Sequence, residues 1–259
     1  MSPYPFVLIT PASRGLSLAL AKHYLRNTKL PVYATHRSGS PNSVREAILA
    51  GLPSVDPSRL NLLKLELTSE ESISSAADEL AKNLPDKDAY IHTAFSTGGI
   101  LYPERRPQDL DASNILETFQ VNVISHLLLI KHFSRFLPKP NQMQGDKPAK
   151  WVHVSARVGS VSDNRLGGWY SYRASKSALN QVIRTFDLHL QAKKTPAICV
   201  GVHPGTVKTD FSKDFWGGVP KEKLFEPEYA AEKLYGVVEG LKTDQRGRIW
   251  DWAGKEVLP

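Results

Sequence analysis

Tyr172 and Lys176 stand four residues apart in the run YRASK (172–176). On a helix that spacing stacks them on one face, a turn apart. A tyrosine hydroxyl titrates near about pH 10. An ammonium beside it favours the phenolate and lowers that value, so the phenol can exchange a proton with a carbonyl or alcohol oxygen. Ser155 closes the apolar run of WVHVSARVGS (151–160), and a serine hydroxyl across a site can hold the same oxygen. A Tyr-x-x-x-Lys pair alone is as readily one face of an ordinary helix. Ser155 at a strand end and a phosphate-type turn near the start of the chain give it a context. Tyr170 lacks a lysine partner, because Ala174 stands four residues on. It reads as a pocket wall, with Trp169 facing the same cavity.

The elements that must position these groups alternate. Apolar, β-branched runs of strand length lie at 6–10, 31–35, 60–67, 89–94, 150–155 and 196–203, and amphipathic runs of helix length at 14–27, 42–51, 69–83, 112–137 and 171–194. A late helix at 227–241 precedes a short strand candidate, RIWDW. Strand and helix in turn argue for βαβ units and a parallel sheet with helices on both faces. The polar stretch 138–150 reads as a surface loop. In such sheets ligands sit beyond the carboxyl ends of the strands, where strand order reverses.

The first strand end reads TPASRGLS (10–17), followed by the helix-like LALAKHYL. A helix N-terminus after a tight turn offers N–H groups and a positive dipole end to a phosphate. Gly15 permits close approach, with Thr10, Ser13, Arg14 and Leu16 around it; Pro11 and Ser17 stand where glycines would be expected. By itself the segment is equally an ordinary βα turn. Arg14, and Arg37 at the second strand end in YATHRSGS, add cations where an acidic residue would favour a free ribose hydroxyl. NADP(H) is therefore expected over NAD.

The bulk composition bounds the alternatives. A chain of 259 residues, 41% hydrophobic, suits one α/β domain with a sizeable core. No apolar run is long enough to cross a membrane, and the early strand leaves no room for a leader, so a cytoplasmic protein is expected. The single cysteine, Cys199, sits in an apolar run and reads as a buried small hydrophobe. The formal charge is +7, but lysines and arginines are scattered, with pairs only at 105–106 and 193–194. Nucleic acid is not expected as a partner, and no metal site is.

Together these residues resemble the short-chain dehydrogenase/reductase family over essentially the whole chain. TPASRGLS is similar to its glycine turn at Thr10 and Gly15. FQVNVISHLLL (119–129) resembles the helix carrying its catalytic asparagine, here Asn122, and Ser155, Tyr172 and Lys176 complete the tetrad in order. HPGTVKTDF (203–211) resembles the segment approaching the nicotinamide, placing Pro204, Gly205, Val207 and Thr209 there. GGWYSYRASKSALN (167–180) and the ending GRIWDWAGKEVLP resemble the C-factor and sniffer-like carbonyl reductases. The resemblance implies one Rossmann-type, doubly wound, mostly parallel seven-stranded sheet with helices on both faces, spanning 1–259 as a single domain. It also implies hydride transfer from NADPH to a ketone or aldehyde. Ser155 would orient the oxygen and Tyr172 donate the proton. Lys176 would lower the tyrosine pKa and bond the nicotinamide ribose, and Asn122 would hold a relay water.

The sequence departs from the family at the fourth strand end, where HTAF (92–95) replaces Asn-Asn-Ala-Gly and only Ala94 matches. Phe95 is large enough to crowd the cofactor, and His92 reads as a structural replacement. Glu66 and the Leu67 backbone, in LELTS, stand for the adenine-side carboxylate. Beyond the Pro-Gly segment, 208–225 carries Phe211, Phe215 and Trp216 with Gly217-Gly218, which reads as a lid over an apolar carbonyl or alcohol substrate; packing of these aromatics into the core is the other reading. A homodimer or homotetramer through 112–137 and 171–194 is implied by the resemblance. Two other functional readings stay open: an NADP(H)-binding regulatory or scaffold protein with little turnover, and an alcohol dehydrogenase working in the oxidative direction.

Overall fold

The computed structural model describes residues 4–140, 142 and 147–259, so positions 141 and 143–146 of the loop expected at 138–150 lie outside the described residues, and the end of that stretch already belongs to a strand that begins at Ala149. Its frame is an eight-stranded sheet, assembled as β1 (Tyr4–Thr10), β2 (Val32–His36), β3 (Leu60–Lys64), β4 (Ala89–Ser96), β5 (Ala149–Val154), β6 (Ala197–His203), β9 (Ile249–Asp251) and β10 (Glu256–Val257). The spatial order is β10-β9-β6-β5-β4-β1-β2-β3. Every pairing is parallel except β9 with β10.

That last pairing corrects the expected seven strands to eight. Glu256 and Val257 fold back antiparallel on Trp250 and Ile249. Two residues are too few to show an alternating pattern in sequence. A further short ladder, β7 (Thr206–Val207) with β8 (Leu224–Phe225), lies outside the main sheet.

Because both faces are covered, the strands are apolar on both sides, and successive residues feed opposite cores. Along β1, Phe6 and Leu8 join the core containing Ile73, Leu80, Phe133, Trp151, Leu179 and Ile183. Val7 and Ile9 join the one containing Leu20, Tyr24, Ile48, Phe95 and Leu234. The first core is built by α3 (Glu70–Asn83), α5 (Ser125–Phe133) and α6 (Tyr170–Ala192). The second is built by α1 (Gly15–Asn27), α2 (Pro41–Leu49) and α7 (Pro227–Gly240). Helix α4 (Ala112–Phe119) runs into α5 through one π-helical turn, Gln120–Ile124.

Strand order reverses between β1 and β4, where Thr10 pairs with Ser96. Parallel register puts the carboxyl ends of β1, β2, β4, β5 and β6 on one edge of the sheet. Among the described residues no helix is long and apolar enough to cross a membrane.

Candidate active site

Four elements bring the chemistry to that edge. Ser155 follows β5, its N–H donating to Val202 O at 2.9 Å, and is 2% exposed. Its hydroxyl donates to Asn180 Oδ1 at 2.6 Å. Tyr172, Lys176 and Asn180 are spaced by four residues along α6 and share its inner face. Asn180 was legible in the sequence as the next member of that row, and sequence reasoning did not single it out.

Lys176 is 2% exposed, and its Nζ donates to Val154 O at 2.9 Å. Nζ stands 5.7 Å from the centre of the Tyr172 ring. Burial lowers the lysine pKa to about 8. Burial also pushes the Tyr172 hydroxyl well above its ordinary value. Where a lowering of the tyrosine by its lysine was expected, the shift runs upward, because loss of solvent around a phenolate outweighs a cation directed at a backbone carbonyl.

Asn122 sits in the π-helical turn, a widened helical geometry that recurs at functional sites. Fully buried, it accepts from Ile100 N at 2.8 Å and donates to Ile100 O and Ser175 Oγ, each at 2.9 Å. Ser175 Oγ in turn donates to Tyr172 O at 2.8 Å. Asn122 is thereby clamped between the segment after β4 and the helix of the tyrosine. Beneath it His126 and His153 face each other, Nδ1 to Nδ1 at 2.7 Å, and His126 Nε2 meets Gly98 O at 3.0 Å.

The first turn fits a dinucleotide phosphate. Ser40, Ser69 and Asp111 cap α2, α3 and α4 with their side chains, whereas the start of α1 has no side-chain cap. Its first N–H groups therefore point out of the helix unpartnered by side chains. Gly15 has φ +57°, and a Cβ there would stand 3.0 Å from Thr209 Cγ2, so the Pro-Gly segment lies directly against the turn.

The missing glycines are replaced by bonding. Ser17 Oγ donates to Thr97 Oγ1 at 2.8 Å, and Thr97 Oγ1 lies 3.1 Å from Thr10 O and 3.0 Å from Pro11 O. Phe95 is 1% exposed and packs edge-on to Tyr24 inside the core, so it does not crowd the edge of the sheet. His92 bonds Thr93 Oγ1 at 2.9 Å, as expected of a structural side chain. Arg37 is 68% exposed and pairs with Glu66 at 3.6 Å. Glu66 also accepts from Thr68 N and Oγ1 at 3.2 and 3.0 Å, while Leu67 packs toward Gly98.

The expected lid is strapped at both ends, since Thr206–Val207 pairs with Leu224–Phe225 and Lys208 N donates to Phe225 O at 2.8 Å. Its aromatic side chains meet the site. Phe211 lies 6.0 Å from the Tyr172 ring, Trp169 6.2 Å from the same ring, and Phe215 4.9 Å from Trp169. Trp216 is turned to Ser212 Oγ at 2.9 Å, and Tyr170, 41% exposed, joins none of these ring contacts among the described residues. Gly205, with φ +75°, lies under the Phe225 ring, where a Cβ would come within 2.6 Å. Among the described residues no cluster of three or more His, Cys, Asp or Glu forms a metal site.

The doubly wound sheet thus carries an open helix start at its switch point and a Tyr-Lys helix across from it. The chain belongs to the short chain dehydrogenase family, whose model matches residues 5–218. It is 32% identical over 185 residues to the 1-hydroxy-2-glutathionyl-2-methyl-3-butene dehydrogenase of Rhodococcus sp. (strain AD45), covering 71% of this chain and 74% of the relative. It is 33% identical over 149 residues to the C-signal protein of Myxococcus xanthus, covering 58% of this chain and 81% of that one. The fold is shared with an NADPH-bound carbonyl reductase from chicken fatty liver at TM-score 0.83, 24% identity and full coverage of both chains.

Proposed function

We propose that the protein is an NADPH-dependent reductase of apolar ketones or aldehydes. The observation that carries this reading is the convergence of Ser155, Tyr172 and Lys176 at the sheet edge, with Asn122 locked behind them. The turn at Thr10–Leu16, Arg14 and Arg37 would hold the phosphates; Glu66, Leu67 and Ala94 would border the adenosine. Pro204, Gly205, Val207 and Thr209 would border the nicotinamide. Bound there, the reduced cofactor supplies a hydride to the carbonyl carbon.

The chain's own residues handle the oxygen. Burial keeps Tyr172 protonated at neutral pH, the form that donates a proton to a developing alkoxide. Ser155 needs only to rotate its O–H away from Asn180 to bond the same oxygen. Lys176 commits one of its three donors to Val154 O and keeps two for the tyrosine and the ribose. Asn122 is assigned the water that reconnects Lys176 with solvent. The wall of Trp169, Phe211 and Phe215 suits a flat apolar substrate and excludes water.

Tryptophan-to-nicotinamide energy transfer tests this in a titration with NADPH and, separately, NADH. NADPH should bind at least about tenfold tighter, as a charge-assisted contact to the extra phosphate requires. Failure of both to bind would contradict the reading. The Rhodococcus relative is named a dehydrogenase of a 1-hydroxy compound, so the oxidative direction is the second reading. It is tested in the same assay by turnover of alcohols with NADP+.

A further inference from the structure

Glu104 lies between β4 and α4 and is 3% exposed. Three donors from the start of α6 converge on it. Trp169 N–H donates to its backbone carbonyl at 2.6 Å, Ser171 N–H to Oε2 at 2.8 Å and Ser171 Oγ–H to Oε1 at 2.5 Å. Among the described residues no cation pairs with this carboxylate, and Arg106, two positions on, gives its guanidinium to Asp109.

A buried carboxylate without a counter-cation is costly unless its charge is met otherwise. Here the first turn of a 23-residue helix meets it, through the hydrogen bonds and the positive dipole end. The N-cap residue, Trp169, contributes no side-chain cap of its own; Glu104 caps the helix from across the site.

Trp169 is held in a left-handed conformation, φ +51° and ψ +46°, which is strained for a non-glycine residue. Its N–H bonds only the backbone carbonyl of residue 104, which any side chain at that position supplies; the carboxylate acts two positions on, holding Ser171 by both its N–H and its hydroxyl, and the indole of the turn so anchored lies between Tyr172 and Phe215.

We infer that Glu104 is a positioning residue: by anchoring Ser171 in the first turn of the helix, its carboxylate fixes the neighbouring Trp169 ring against Tyr172 and so sets both the aim of the proton donor and the apolar wall that selects substrate. This rests on the proposed function for its catalytic meaning, but not for its structural content.

The test compares Glu104→Ala, Glu104→Gln, Trp169→Phe and Tyr172→Phe. Two readouts are used: NADPH oxidation with benzil, an apolar diaryl diketone, and the Trp169 indole signal, assigned by its loss in Trp169→Phe. Glu104→Ala should shift the indole signal. It should raise the benzil KM and lower kcat, each by about tenfold, since sub-ångström misplacement of such groups is costly. It should leave NADPH affinity unchanged, because the cofactor turn is at another strand end.

Glu104→Gln keeps an acceptor for Ser171 N–H and offers a donor to Ser171 Oγ, so it should restore the indole signal and the KM. In the Trp169→Phe background the KM effect of Glu104→Ala should largely vanish. An unchanged indole signal in Glu104→Ala overturns the inference, whatever the activity. So does a fall in kcat alone that tracks the folded fraction. Full benzil turnover by Tyr172→Phe would instead overturn the functional reading, with the indole arm still deciding the role of Glu104.

Discussion

Lys176 Nζ stands 5.7 Å from the centre of the Tyr172 ring and spends its hydrogen bond, at 2.9 Å, on the Val154 carbonyl. The pair is therefore biased toward a protonated phenol, with the lysine as the group titrating nearer to neutrality, its pKa lowered to about 8. Reduction needs both protons in place. The rate of NADPH-dependent carbonyl reduction should fall as pH rises through about 8, when Lys176 loses its proton. A Lys176→Arg variant, whose cation persists far above that range, should lose this alkaline limb even though its geometry lowers the rate. A limb unchanged in Lys176→Arg would assign it to another group.

Arg37 is two-thirds exposed and, among the described residues, is tied only to Glu66 at 3.6 Å, so it can turn to a 2′-phosphate at little cost. Arg37→Ala should weaken NADPH binding by about tenfold or more, near 1.4 kcal/mol, and leave NADH binding unchanged. Competitive titration checks it. Equal loss for both cofactors would place Arg37 in the fold rather than at the phosphate.

Gly159 presses against the helix that carries the catalytic pair. A Cβ there would stand 2.8 Å from Lys176 Cβ and 2.9 Å from its backbone carbon, with the helix backbone unable to yield locally. Gly159→Ala should lower stability by about 1–3 kcal/mol, seen as a fall in Tm, and should cost turnover beyond the loss of folded protein. Gly51, whose added Cβ would meet nothing within 4 Å, is the poor comparison because its φ is +74°. Gly236, in α7 with open space and no such φ, is the proper control.

The buried histidines make stability depend on acid. Gly98 O can only accept, so His126 Nε2 carries a proton. Its bare Nδ1 then accepts from His153 Nδ1–H, and both rings are neutral. Burial pushes His126 down to about 3 and His203 to about 4, with His153 also well below its ordinary value. Between those values and about 6.5 the unfolded chain binds protons that the folded chain refuses, so stability rises with pH across that window and is fully present above it. Each such histidine should contribute a loss on the order of 1–2 kcal/mol by about pH 5. Thermal melts between about pH 5 and 8 check this; a flat Tm would contradict it.

The elements at the sheet edge differed in how far they were legible in the sequence. Tyr172, Lys176 and Ser155 announce themselves because helix and strand periods are local, and a spacing of four has one meaning on a helix. The parallel order followed from alternating runs of β-branched and amphipathic residues. Ser17 was harder: its value lies in Thr97, 80 residues away, and no local pattern links them. Phe95 looked like an obstruction because strand register, which turns its ring toward Tyr24 and away from the edge, is a tertiary property. The sign of the Tyr172 shift depends on burial, which spacing does not report. Glu104 had no signal at all, since a lone glutamate before two arginines reads as surface. The strand at Glu256–Val257 was too short to carry a pattern.

The central claim is that Tyr172 is the proton donor of a nicotinamide-dependent reduction, and Tyr172→Phe tests it most directly. The phenyl ring preserves the contacts with Trp169 and Phe211 and removes only the hydroxyl. NADPH affinity and Tm should stay near those of the unaltered protein, while kcat for carbonyl reduction should fall by about a hundredfold or more, the scale of a lost general acid. A variant that binds NADPH and turns over an apolar ketone at an undiminished rate would contradict the account.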